Sequence, residues 1–102
     1  PTRAHAIEEY YRASQAEFAR ALRVRGFSEA EIGTHAGLAD TALMLAIDAR
    51  LVRADRLRPG TGEAGDGVDG DPRRATAELG RAGADDVVAK TVEAVKQALA
   101  RR

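Results

Sequence analysis

In Gly33-Thr34-His35-Ala36-Gly37-Leu38-Ala39-Asp40-Thr41-Ala42-Leu43-Met44-Leu45-Ala46-Ile47-Asp48, a histidine and a carboxylate flank the start of an apolar run. Gly33 and Gly37 bracket His35, so the backbone there can turn tightly or take positive φ without steric cost, as a site that aims one side chain requires. Ala, Leu and Met dominate from Asp40 to Ile47 and are good helix formers, so the composition predicts a helix. Asp40 at its mouth can cap exposed N–H groups and sit in the positive end of the helix dipole. A lone His35 reads, on spacing alone, as a hydrogen-bonded structural group. The helix is apolar on nearly every side and should be buried between other layers. Few neighbours for it exist in the rest of the sequence, which points to a missing partner segment.

Towards the N-terminus, residues 1–12 mix Ala4, Ala6, Ile7, Tyr10 and Tyr11 with His5, Glu8 and Glu9, a pattern that fits a short strand or a helix start equally. His5 reads as an exposed or edge residue. From Ser14 the period changes: Phe18 and Leu22, with Ala19 and Ala21, recur at three and four residues among Gln15, Glu17, Arg20 and Arg23, giving an amphipathic helix. Gly26 is a natural stop for it, and Ser28-Glu29-Ala30-Glu31 then reads as a capping box that turns Ile32 inward.

Beyond Asp48, Arg50, Arg53, Arg56 and Arg58 surround Leu51, Val52 and Leu57. Such a cluster can grip phosphate or carboxylate, but Asp48 and Asp55 are interspersed, and a solvated or ion-paired face is the simpler reading. Residues 59–72 form a glycine- and aspartate-rich loop. Gly60-Thr61-Gly62-Glu63-Ala64-Gly65 matches G-x-G-x-x-G, yet no β-branched strand precedes it, and Glu63, Asp66, Asp69 and Asp71 would repel a pyrophosphate. The carboxylates do not have calcium-loop spacing either, so a solvated acidic loop is the better reading. Pro72 suits a first helical turn with Asp71 as its cap. That helix should run through Ala75 and Leu79 to Val88, Val92, Val95 and Leu99, with one apolar face. Gly80 and Gly83 would kink it or allow close packing, and Arg101-Arg102 suits its negative end.

A chain of 102 residues can form one small domain, but aromatics make up only 4% of it, so its core is thin. Sixteen basic residues balance sixteen acidic ones, which argues against nucleic acid or an anionic membrane as partner. The absence of cysteine excludes disulfides and thiolate metal sites and fits a cytoplasmic location. The longest apolar stretch is too short to span a bilayer. The sequence opens on Pro1 rather than Met, which fits processing or a cut.

His35-Ala36-Gly37-x-x-Asp40-Thr41-x-Leu43-Met44-Leu45 resembles the His-Ala-Gly-x-x-Glu-Thr-Ser-Leu-Met-Leu signature of the creatininase (creatinine amidohydrolase) family. Gly67-Val68-Asp69-Gly70-Asp71-Pro72 resembles its later Gly-Val-x-Gly-Asp-Pro segment. The resemblance implies an α/β fold, with residues 1–102 as the C-terminal part of a three-layer α/β/α sandwich, mostly helical with one or two strands, one of them ending near Tyr10-Tyr11. It implies metal-dependent hydrolysis of a C–N bond in a cyclic or linear amide, using two divalent ions (Zn, Mn or Fe) that hold and acidify a water.

By the same resemblance His35 is the catalytic proton-transfer residue and Asp40 the metal-site carboxylate, with Thr34 and Gly37 on the substrate side. The Gly/Asp-rich loop would lie beside the active site and between subunits, in a structural or gating role. Asp40 stands where the family has Glu, Ala42 where it has Ser, and Thr34 where many members have an acidic or small residue. The family's earlier Glu-x-His and Asn-Gly-His segments, which supply most metal ligands, have no counterpart here. The expectation is therefore a companion polypeptide carrying the N-terminal segment, in a higher oligomer, by resemblance a hexamer. The alternative is a non-enzymatic helical module that binds a protein partner, or an inactive fragment.

Overall fold

The computed structural model describes residues 2–63 and 65–101, so the opening Pro1 and the expected dipole role of Arg102 lie outside the described residues. Four α-helices run in order: α1 (Glu9–Val24), α2 (Glu29–Ile32), α3 (Leu38–Ile47) and α4 (Ala77–Ala100). Short 3-10 turns at Ala49–Leu51, Ala54–Arg56 and Pro72–Arg74 shape the connection between α3 and α4.

No strand forms among the described residues, where one or two were expected; the β-type pairing there is an isolated antiparallel bridge between His35 and Asp69. Tyr10 and Tyr11, expected at a strand end, lie in the first turn of α1. The helical period simply extends further back than Ser14. Ser14 is buried inside the helix and donates from its hydroxyl to the Tyr10 carbonyl at 2.8 Å, a local bond only a helix offers. A strand at this point would have no ladder partner among the described residues.

Helix α1 ends as its sequence implies. Gly26 takes φ 94°, its N–H donates to the Arg23 carbonyl (2.9 Å), and the Phe27 N–H donates to the Leu22 carbonyl (3.2 Å). These are the two bonds of a Schellman motif. The accompanying apolar contact is present, because Phe27 packs on the cluster that contains Leu22. The capping box of α2 also forms, with the Glu31 N–H donating to Ser28 Oγ at 3.2 Å and the Ser28 N–H to Glu31 Oε2 at 3.0 Å.

The core is small: Phe18 and Leu22 from α1, Ile32 from α2, Leu38 and Ala42 from α3, and Leu79 from α4. Helix α3 packs chiefly on α4, and here the glycines of α4 act. A methyl group at Gly80 would overlap the Ala42 carbonyl, and one at Gly83 would lie 2.9 Å from the Phe18 ring. Helix α4 runs unbroken through both positions, so their role is close packing. The helix expected from Pro72 is divided: Asp71 caps the Pro72–Arg74 turn, Ala75 is extended at ψ 138°, and Thr76 caps α4 by accepting from the Leu79 N–H at 3.2 Å.

The helix α3, expected to be buried on nearly every side, is partly open, and the apolar face of α4 lies at the surface. On α3, Leu38, Thr41 and Ala42 are buried, whereas Ile47 is 70% exposed. On α4, Val88, Val92, Val95 and Leu99 all belong to the exposed surface. The one-sided packing of α3 and the length of α4 beyond its contact with α3 leave Ile47, Val88, Val92 and Val95 at the surface. Among the described residues, no helix is long and apolar enough to cross a membrane.

Helix propensity favours Ala over Gly by about 1 kcal/mol in a helix interior. The close approach of α4 to the Ala42 carbonyl predicts the opposite sign for Gly80→Ala, a loss of roughly 1–3 kcal/mol from overpacking. Urea unfolding of the full chain reads the difference, and a neutral or stabilised variant would show that the two helices do not meet at this distance.

Candidate functional site

The backbone around His35 is irregular, and its polar groups find partners on the loop that precedes α4. The Asp69 N–H donates to the His35 carbonyl at 2.7 Å. In return the Asp69 carbonyl accepts from the N–H groups of Thr34 (2.9 Å) and His35 (3.3 Å). The Thr34 hydroxyl donates to an Asp69 carboxylate oxygen as well. On either side the Asp71 N–H donates to the Glu31 carbonyl (2.9 Å), and the Gly60 N–H to the Gly70 carbonyl (2.8 Å). The two sequence motifs therefore build one object.

Only glycine permits this crossing. Gly33 has φ 67°, and a methyl group there would overlap the Asp69 carbonyl. Gly37 and Gly70 face each other: a methyl at Gly70 would lie 2.7 Å from the Gly37 Cα, and one at Gly37 would lie 2.7 Å from the Ile32 carbonyl oxygen. Ala36 also takes a left-handed φ of 52°, which costs a non-glycine residue about 1–2 kcal/mol. Its N–H donates to Asp40 Oδ2 at 3.0 Å. Asp40 is thus a first-turn residue of α3 that reaches back to hold the strained residue, while Gly37 occupies the cap position.

Charge reinforces the crossing. Arg74 donates from Nε to Glu31 Oε1 (2.7 Å) and from an Nη to Oε2 (2.9 Å), while its guanidinium stacks 4.4 Å above the Phe27 ring. These bonds, with the Ser28 N–H, hold the Glu31 carboxyl down to about 2 from the usual 4.5. The hydrogen bonds of Arg73 to Asp71 hold that carboxyl near 2 as well. Asp66 accepts from Arg58 and from the Thr61 N–H (2.9 Å), which holds its carboxyl below the ordinary range. Asp66, Asp69 and Asp71 of the loop are thus engaged by protein groups, and its role in the fold is to pin the His35 backbone.

The imidazole itself makes no hydrogen bond among the described residues. It lines an open cavity of about 490 Å³ together with Asp40, the apolar side chains Met44, Leu51 and Leu57, and the guanidinium-bearing Arg53, Arg56 and Arg58. Of the candidate residues, the structure brings His35 and Asp40 to one cavity and places Thr34 and Gly37 elsewhere. Thr34 lines a neighbouring cavity beside α1, with its hydroxyl on Asp69, and Gly37 is buried in the backbone crossing. Sequence reasoning missed Asp69 as the pin of His35, although Gly67–Pro72 is visible as a motif. It also read all four arginines after Asp48 as one face, whereas Arg50 turns back onto Asp48 (2.9 Å) while Arg53 and Arg56 line the cavity.

No group of three His, Cys, Asp or Glu side chains able to hold a metal ion occurs among the described residues. His35 and Asp40, one of whose carboxylate oxygens already accepts from Ala36, do not by themselves fit a metal ion, which ordinarily takes three or more protein ligands at a catalytic site.

A family model described as Creatininase: Creatinine amidohydrolase matches residues 2–95, and the chain belongs to that family. No curated protein and no solved structure matches the chain significantly. Family membership suggests a hydrolase of the metal-dependent amidohydrolase kind.

The clamp between Glu31 and Arg74 has a pH signature. Because the folded state lowers the Glu31 carboxyl from 4.5 to about 2, its stabilisation is complete above about pH 4.5 and is lost as the pH falls towards 2. Glu31→Gln should therefore be less stable than the parent at pH 6 and lose less between pH 4.5 and 2, the remainder coming from Asp71. Acid titration of helicity by circular dichroism checks this; identical acid profiles for the two proteins would contradict it.

Proposed function

We propose that this member of the creatininase family is the His35-bearing part of an amidohydrolase that cleaves a C–N bond of a cyclic or linear amide. The observation that carries the reading is His35 itself: a backbone fixed on both sides by Asp69 presents an unbonded imidazole to a cavity shared with Asp40. An imidazole so held can take a proton from an attacking water and return it to the leaving nitrogen. Thr34 and Gly37 serve by shaping the loop that aims it. Asp40 supports Ala36 and, in the assembled enzyme, would contribute its carboxylate to the metal site.

In this reading residues 1–102 are the C-terminal part of one three-layer α/β/α domain, and the remaining layers and metal ligands come from a companion polypeptide. Two divalent ions (Zn, Mn or Fe) would be held mostly by that companion. The open faces support the proposal: Ile47, Val88 and Val92 are exposed on helices that are apolar enough to belong inside a larger core. Assembly into a hexamer, on family grounds, and a cytoplasmic location, on the lack of cysteine, complete the proposal. The same exposed face of α4 favours a second reading, a helical module that binds a protein partner without chemistry.

The two separate cleanly. Native mass spectrometry and metal analysis of protein from its own source should find a larger companion and tightly bound divalent metal, and the chain produced alone should hold little. His35→Ala should reduce amide turnover of the assembled protein by at least about a hundredfold, the scale of a general acid–base contribution, with metal content nearly unchanged. Asp40→Asn, which keeps an acceptor for Ala36, should retain the fold and hold metal more weakly. A metal-free native protein without a companion, or full activity in His35→Ala, would sink the hydrolase reading.

A further inference from the structure

The arginines beside the His35 cavity are not equivalent. Arg50 is turned onto Asp48, with two guanidinium nitrogens on its carboxylate at 3.0 and 2.9 Å. Arg58 is neutralised by Asp66. Arg53 and Arg56, three residues apart across the Ala54–Arg56 turn, have no ion pair among the described residues, and both line the cavity that holds His35 and Asp40. Asp55, the acid between them, is not among the lining residues. Of the two acids interspersed in this segment, Asp48 is used on Arg50, while Arg58 is matched by Asp66 from the following loop and Asp55 makes no ion pair among the described residues.

We infer that the substrate is an amide carrying a carboxylate, which Arg53 and Arg56 hold while His35 faces the scissile bond. This deepens the hydrolase reading and rests on it. Arg53 and Arg56 bring to the cavity two guanidinium charges that no ion pair matches among the described residues, which favours an anionic group on the substrate. Guanidinium groups fit carboxylates geometrically, with two parallel N–H donors to two oxygens. The cavity wall also includes Met44, Leu51, Leu57 and Val68, so the part of the substrate that accompanies the carboxylate is a short apolar or aromatic one. A volume of about 490 Å³ is that of a small-molecule site, too small for a folded partner.

The test uses two matched probes, hippurate and its neutral counterpart N-benzoylglycinamide, whose binding to the full chain is measured by calorimetry at low and high salt. Hippurate should bind roughly three- to tenfold more tightly, the range expected for one or two partly exposed charge-assisted contacts, and the ratio should shrink as salt screens them. Arg53→Gln/Arg56→Gln should bring the ratio to about one without changing helicity, since both side chains are exposed and unpaired. Arg53→Lys/Arg56→Lys, which keeps the charge, should retain part of the preference. Equal binding of the two probes, failure of hippurate to bind, or a preference that survives the glutamine variant would overturn the inference. Turnover is read separately: an assembled protein that cleaves no amide, while the binding ratio behaves as stated, defeats the hydrolase reading and leaves the anion site standing.

Discussion

Two loops without regular secondary structure lean on each other in this chain, and the backbone exchange between His35 and Asp69 is the constraint from which the site follows. A loop near a core must satisfy its N–H and C=O groups or incur a desolvation cost of about 1–3 kcal/mol for each one left unpaired. Residues 33–37 and 69–71 solve that problem mutually. The solution requires contact between backbones, which a Cβ at Gly33, Gly37 or Gly70 would prevent. The ion pair of Glu31 with Arg74, stacked on Phe27, then fastens the second loop to α2 from outside.

The consequence is a histidine whose main chain is fixed while its ring is uncommitted. Structural histidines ordinarily spend a ring nitrogen on a hydrogen bond, whereas the His35 ring faces a cavity with apolar and cationic walls. Strain at Ala36 belongs to the same design, because a left-handed alanine persists only where its surroundings over-determine it. Here Asp40 from the first turn of α3 supplies that hold. The rest of the molecule is a support for this corner: α4 lies close against α3 through Gly80 and Gly83, and the buried cluster from Phe18 to Leu79 fixes both helices to α1.

Local signals in the sequence were legible where the physics is local. The stop at Gly26, the capping box at Ser28 and Glu31, and the caps at Asp71 and Thr76 involve residues within a few positions of each other, although only the first three had a recognisable pattern in advance. The His35 and Gly67–Pro72 motifs were visible as separate strings, but their pairing spans 34 residues of chain and depends on glycines whose role appears only when two backbones meet. The apolar stripe of α4 was legible as a face, whereas the helix α3, read as buried on nearly every side, is open at Ile47. Periodicity reports which side chains share a side of a helix and says nothing about what covers them. Likewise the arginines after Asp48 could be sorted into paired and unpaired only by geometry, since each has an acid within a few residues.

The central claim is that the two motif loops form one locked unit, and amide hydrogen exchange of the full chain tests it most directly. The N–H groups of Thr34, Asp69 and Asp71, all outside helices, should exchange as slowly as core amides of α1 and α3, because they open only with the fold. Exchange of these three at the rate of an unstructured loop, with the helices still protected, would contradict the account.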